Sequence, residues 1–281
     1  MAAISADLAA RGTALEYWFL KLHSGDLAFL VDFIGRRAIG EAEVRLSLWV
    51  RGAGRVEHHK STDWSADGHG VLVGDCEFTA RSSRGAVAGI EWDVDYDAGP
   101  SRVAPRVPLL SRLHPFDLDL ISYPRTQFTG SVTVAGERFD LADTPGSVTH
   151  YWGRRLPDRW HWISANAFAG ADLVVEAVFM RTRFWGVRPA LTAGYLWTGE
   201  AGREHTLVSP LNGLMSISGS PEAFTLVGRG RRGITRLQCS ATAARYNDLA
   251  EGIQQTLHGS CTVDGRGLTD PHAGLEHRNW S

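Results

Sequence analysis

Short runs in which apolar and polar residues alternate dominate the chain, and a helical stripe is almost nowhere seen. Val44–Val50 is the clearest: Val44, Leu46, Leu48 and Val50 fall on one face, Arg45, Ser47 and Trp49 on the other. That period is a half-buried strand, and the Trp means that its second face is not simply solvent. Tyr17–Leu22 and Leu27–Ile34 are apolar runs of strand length split by His23-Ser24-Gly25-Asp26, a hairpin turn. Val71–Thr79 and Val87–Tyr96 follow as strands, the second setting Ile90, Trp92, Val94 and Tyr96 against Glu91, Asp93 and Asp95. The polar stretch 52–70 reads as loop or short hairpin, and the Ala-rich residues 1–15 as a short helix.

Six Pro or Gly residues break the rhythm between Ala98 and Pro124, while Leu109, Leu110, Leu113, Phe116 and Leu118 argue against a disordered linker. The stretch reads as an ordered crossover, which predicts two domains, 1–124 and 125–281. Beyond it, Val132–Val134 and Arg138–Leu141 flank a tight Ala135-Gly136-Glu137 hairpin. Leu173–Met180, Leu191–Trp197, Phe224–Val227, Ile234–Ala241, Ile253–Val263 and Leu275–Trp280 are further strands, with a Gly/Ser-rich section at 212–220. Short strands at this spacing mean an all-β sandwich or barrel with few short helices. Tyr17–Leu20 with Asp26-Leu27, and Trp160–Ile163 with Asp172-Leu173, echo each other as aromatic strand, turn and apolar strand, which suggests two similar halves.

Composition narrows the class further. Hydrophobic residues make up 43% and charged residues 21% of 281 residues, the balance of a globular protein, and a net charge of −2 lacks the footprint of a nucleic-acid binder. No run approaches the roughly 18 apolar residues of a membrane span, and the N-terminus has no basic leader. Peripheral membrane contact stays open. Cys76, Cys239 and Cys261 form no C-x-x-C pair, so reduced thiols and a cytoplasmic location are expected; Cys239 and Cys261 could bridge if their strands are neighbours.

Several motifs lack the context their chemistry needs. Gly228-Arg229-Gly230-Arg231-Arg232-Gly233 matches G-x-G-x-x-G, but Ile234–Cys239 alternates as a strand where a dinucleotide site requires a helix N-terminus. His58, His59 and His69 lie in a polar loop without metal-ligand spacing, so no metal site is expected. Neither a G-x-S-x-G elbow nor a phosphate loop occurs, and no cofactor is implied.

Gly146–Phe168 is different, because it concentrates three Trp, two His and three Arg. Read as a strand, Trp160, Trp162, Ser164, Asn166 and Phe168 share one face, an aromatic wall with two neutral polar groups, as in small-molecule sites. Glu176, inside Leu-Val-Val-Glu-Ala-Val-Phe-Met, is a carboxylate in an apolar strand; it pairs with an Arg such as Arg154, Arg155 or Arg181, or is a protonated acid in a cavity. Asp32, in Phe-Leu-Val-Asp-Phe-Ile, is its counterpart in the first half, and structural ion pairing is the commoner explanation of both.

Thr149-His150-Tyr151-Trp152-Gly153-Arg154-Arg155, then Trp160-His161-Trp162-Ile163-Ser164-Ala165-Asn166, preceded by the hairpin Gly130–Gly136, resembles a lipocalin-like superfamily. It includes tocopherol cyclases, carotenoid 1,2-hydratases of the hydroxyneurosporene synthase type and lipocalin-like Diels–Alderases. The resemblance implies two tandem lipocalin-like β-domains with an apolar cavity near their junction, and chemistry on lipophilic isoprenoid or polyketide substrates. Thr149 stands where the hydratases resemble Asp-His-x-Trp-Gly, so hydration needs a proton from Glu176 or Asp32.

The expectation is therefore a cofactor-independent cyclase or isomerase of a hydrophobic small molecule. His150, Glu176 or Asp32 would act as acid or base, and Arg154, Arg155 and Asn166 would hold polar ends. Trp152, Trp160 and Trp162 would line the cavity. A lipid or pigment carrier and a hydratase of a carotenoid-like alkene are the alternatives.

Overall fold

The computed structural model describes residues 14–67, 70–104, 118–184, 187–249 and 251–280. Residues 1–13 of the Ala-rich helix expected at the N-terminus, His69 and residues 105–117 of the Pro-rich crossover lie outside the described residues.

Alternation builds strands nearly throughout. The first sheet contains β1 (Leu15–Ser24), β2 (Leu27–Arg36), β3 (Glu41–Val50), β4 (Ala53–Ser61), β5 (Trp64–Ala66), β6 (Gly70–Val73), β7 (Cys76–Thr79), β8 (Ser82–Val87), β9 (Ile90–Asp97), β10 (Leu118–Val134) and β11 (Glu137–Gly153). The second contains β12 (Arg159–Ala165), β13 (Leu173–Phe184), β14 (Val187–Glu200), β15 (Arg203–Ser209), β16 (Gly213–Ser220), β17 (Ala223–Gly230), β18 (Gly233–Ser240), β20 (Ile253–Val263) and β21 (Leu268–Arg278), with the short β19 (Asn247–Asp248) beside β20. One 3-10 turn, Ala243–Arg245, is the helical element among the described residues, and no described helix is long and apolar enough to cross a membrane.

The strand orders are β4-β3-β2-β1-β11-β10-β9-β8-β7-β6-β5 and β15-β14-β13-β12-β21-β20-β18-β17-β16. In each sheet the first strand pairs with the last, β1 with β11 and β12 with β21, between a meander of four strands and a meander returning from the end. The echoed hairpins, β1–β2 and β12–β13, occupy the same place in both. Each sheet curls toward closure: Arg55 of edge strand β4 donates to the carbonyl of Ala88 at the β8–β9 turn, 3.0 Å. The result is all-β, two nearly closed barrel-like sheets in tandem, each around its own core.

The expected boundary at residue 124 is corrected, because that residue lies inside β10. β11 pairs on one side with β10 and on the other with β1, from Leu15↔Gly153 to Leu22↔Gly146, so the β10–β11 hairpin completes the first sheet. Of the described residues, the first unit holds those up to Arg102 and Leu118–Leu156, and the second holds Val103, Ala104 and those from Pro157 on. The stretch 52–70, read as loop or short hairpin, holds β4 and β5; pairing with β3 organises β4 as a polar edge strand that has little core face of its own, and the Gly/Ser-rich section 212–220 holds β16. Gly228–Gly233 is a hairpin, Gly230 opposite Gly233, with strand on both sides. Cys239 and Cys261 are register partners carrying free, buried thiols.

Candidate functional site

In the second unit the register sets Trp160, Trp162 and Ser164 on one face of β12, while Ile163 and Ala165 enter the core. Ser164 stands opposite Glu176 on β13, and Glu176 opposite Trp197 on β14. Glu176 is therefore beside the tryptophans on a neighbouring strand. Phe168 does not join this face: β12 ends at Ala165, the chain turns, and Phe168 packs in the core.

Glu176 is fully buried, at 0% exposure, and the Tyr195 hydroxyl donates to its Oε1. Ser164 Oγ donates to Asn166 Oδ1 at 2.9 Å, which holds both polar groups beside the carboxylate's strand. The buried Trp197 Nε1–H has no acceptor among the described residues, so an orphaned donor shares the face with Glu176. Trp160 Nε1 donates to Glu276 Oε1 at 2.6 Å, Gln255 Nε2 donates to Glu276 Oε2 at 2.7 Å, and the Arg278 guanidinium lies 5.4 Å from the Trp160 ring centroid. Trp162 lies over Gly274, where an added Cβ would come within 2.8 Å of its ring. These contacts fix both indoles in place.

Sequence reasoning missed Tyr195, Trp197, Gln255, Glu276 and Gly274. A signal existed for the first two, since Tyr195 and Trp197 alternate with Gly194 and Leu196. Nothing local marks Gln255 or Glu276 as partners, because they reach Trp160 only through the pairing of β20, β21 and β12.

In the first unit His150 and Trp152 share the face of β11 that carries the core residue Val148. The Trp18 ring stacks on His150 with centroids 4.9 Å apart and planes 8° from parallel, and the Trp152 ring centroid lies 4.8 Å away. Both His150 ring nitrogens are buried with no hydrogen-bond partner among the described residues. Burial pulls the imidazole down to about 3, so the ring is neutral, a hydrogen-bond donor and acceptor rather than an effective base. His161 is pulled to about 3 by burial, with further repulsion from His277 and Arg159.

Because an unfolded His titrates near 6.5, the unfolded chain binds the extra protons between about pH 3 and 6.5. The stabilising effect of these two neutral rings is full above pH 6.5 and is lost as the pH falls, by up to about 1.4 kcal/mol per pH unit for each. Urea unfolding midpoints are accordingly expected to drop between pH 7 and pH 5, and to drop less in His150→Phe. An equal slope in the variant would show that the ring is not held neutral.

Asp32 is held by Arg45, whose Nη2 and Nε lie 2.8 and 2.9 Å from Oδ2, with both side chains buried. Burial pushes the carboxyl up against the pull of the guanidinium. This is the structural ion pair of the two explanations open to it, so Asp32 is assigned to the fold rather than to acid–base chemistry. Glu43 receives Arg36 at 2.9 Å and His58 at 2.6 Å on the same sheet. Arg154 is exposed and Arg155 half-buried in the connection after β11. Of the expected site, His150, Trp152, Arg154, Arg155 and Asp32 thus belong to the first unit, and Trp160, Trp162, Asn166 and Glu176 to the second. No group of three or more His, Cys, Asp or Glu among the described residues is arranged to hold a metal.

Residues 120–193, which span β10 to the middle of β14 and so contain both His150 and Glu176, match the tocopherol cyclase-like family model. No curated protein sequence matches the chain. Three solved structures share the fold. An AttH-type protein of Nitrosomonas europaea is 14% identical with a TM-score of 0.65, covering 95% of this chain and 93% of that one. Kievitone hydratase of Nectria haematococca is 13% identical with a TM-score of 0.62, covering 93% and 87%. CghA in complex with Sch210972 is 11% identical with a TM-score of 0.66, covering 95% and 88%. The chain resembles the lipocalin-like superfamily of cyclases and hydratases in sequence over its middle and in fold over nearly all its length.

Proposed function

We propose that the chain is a cofactor-independent cyclase or isomerase of a lipophilic small molecule, with Glu176 as its acid–base group and Tyr195 orienting that carboxyl. The observation that carries this reading is a fully buried carboxylate, hydrogen-bonded by a phenol, on one strand face with three indoles. Such a face binds an apolar skeleton by area and dispersion, while Ser164 and Asn166 anchor a polar substituent. Holding a flexible substrate in its reactive conformer contributes about 7–11 kcal/mol to lowering the barrier. Glu176 moves the proton, Tyr195 orients the carboxyl that does so, and the indole faces stabilise positive charge that develops on the skeleton.

Hydration is the second reading, favoured by the likeness in fold to kievitone hydratase. The same carboxyl would protonate an alkene and water would add to the cation.

Mass spectrometry of lipophilic material that copurifies with the protein separates the readings. Cyclisation or isomerisation yields a product of unchanged mass and altered retention, and hydration a product heavier by one water. A ligand recovered unchanged after prolonged incubation would instead identify a carrier and overturn both enzymatic readings.

A further inference from the structure

One end of the second sheet carries a basic and apolar surface that the proposed chemistry does not use. Leu214 on β16 stands opposite Arg229 on β17, and Arg229 opposite Ile234 on β18, so the three side chains form one row across three adjacent strands. All are exposed, Leu214 at 63% and Ile234 at 64%, and Leu211 in the neighbouring β15–β16 connection is at 55%. Six large hydrophobic side chains are exposed among the described residues, and half of them gather here. Scattered singly such residues need no account, but a cluster marks a surface that meets something.

The charge at this end is one-sided. Arg231 and Arg232 form the tip of the β17–β18 hairpin, next to Arg229, and none of the three makes an ion pair among the described residues. Elsewhere on the surface Arg51, Arg84, Arg236 and Arg266 are each matched by a carboxylate. Two shallow clefts of about 480 and 360 Å³ flank the tip, and Glu204 is the one acidic residue among those lining them. The mount is firm. Asn212 Oδ1 accepts from the Val208 N–H at 2.6 Å, its Nδ2 donates to the Thr206 carbonyl at 3.2 Å, and Leu207 packs beneath Gly213 and Gly230. An overall net charge of −2 makes this local excess of cations more telling.

We propose that the β15–β16 connection and the β17–β18 hairpin tip form a docking surface for an anionic lipid bilayer, with Arg229, Arg231 and Arg232 on the headgroups and Leu211, Leu214 and Ile234 in the interfacial layer. The pairing of cations with aliphatic side chains selects this occupant. Nucleic acid or a free anion would use the arginines and leave the aliphatic row in water, whereas a bilayer surface satisfies both.

Sedimentation of the full chain with vesicles tests this. Binding is expected to phosphatidylcholine mixed with phosphatidylglycerol and not to phosphatidylcholine alone. It should weaken about tenfold or more in the double variant Arg231→Ser/Arg232→Ser, and again in Leu214→Ser/Ile234→Ser. Thermal unfolding should be unchanged in both variants, since every replaced side chain is exposed. Three results would each overturn the proposal: no binding to the anionic vesicles, binding indifferent to the aliphatic substitutions, or equal affinity for duplex DNA.

Discussion

Turnover is expected to fall by about 10²–10⁴-fold in Glu176→Gln while the fold stays intact. Gln is nearly isosteric, and its amide oxygen still accepts from the Tyr195 hydroxyl, so the buried hydrogen bond survives in geometry. What is lost is the proton, because an amide neither gives nor takes one near neutral pH. Tyr195→Phe separates orientation from transfer: it removes the hydrogen bond that aims the carboxyl, about 0.5–1.5 kcal/mol, and leaves the carboxyl itself in place. A smaller loss of kcat than in Glu176→Gln is therefore expected. Single-turnover measurements on the substrate identified by mass spectrometry check both. Unchanged rates in the two variants would leave only templating by Trp160, Trp162 and Trp197.

The second large effect is on stability. Asp32→Ala is expected to cost about 3–5 kcal/mol, because it removes the carboxylate bonded by both Nε and Nη2 of the buried Arg45. Arg45→Met should cost a similar amount by stranding the Asp32 carboxylate. The double variant Asp32→Leu/Arg45→Met removes both charges and fills the space with apolar atoms, so it should recover most of the loss. Urea unfolding of these chains together with Asp32→Leu closes the cycle. Losses below about 1 kcal/mol in the single variants would place the pair in the class of screened surface bridges and reopen a chemical role for Asp32.

How far the chain could be read locally is clearest at Gly146–Phe168. Its composition marked a special stretch and its alternation put Trp160, Trp162 and Ser164 on one face, as the register has them. The same reading carried that face two residues too far, to Phe168, because alternation does not announce where pairing stops. It also treated the stretch as one unit, whereas its first part is the last strand of one sheet and its second part the first strand of the next. At Asp32 and Glu176 it detected two carboxylates in apolar strands and could not tell an ion pair from a phenol-bound acid.

The sequence by itself determined the all-β class, most strands, the hairpin at Ala135-Gly136, the inward and outward sides of β3 and β9, and which residues of β12 share a face. All of these follow from a two-residue period and from turn chemistry, which act within a few residues. Only the tertiary structure decided that β11 closes on β1, that Arg45 neutralises Asp32, that Tyr195 reaches Glu176 and that Glu276 and Gln255 hold Trp160. Those meetings depend on strand register and on the order of strands in a curled sheet, and neither is encoded in the alternation of any one segment.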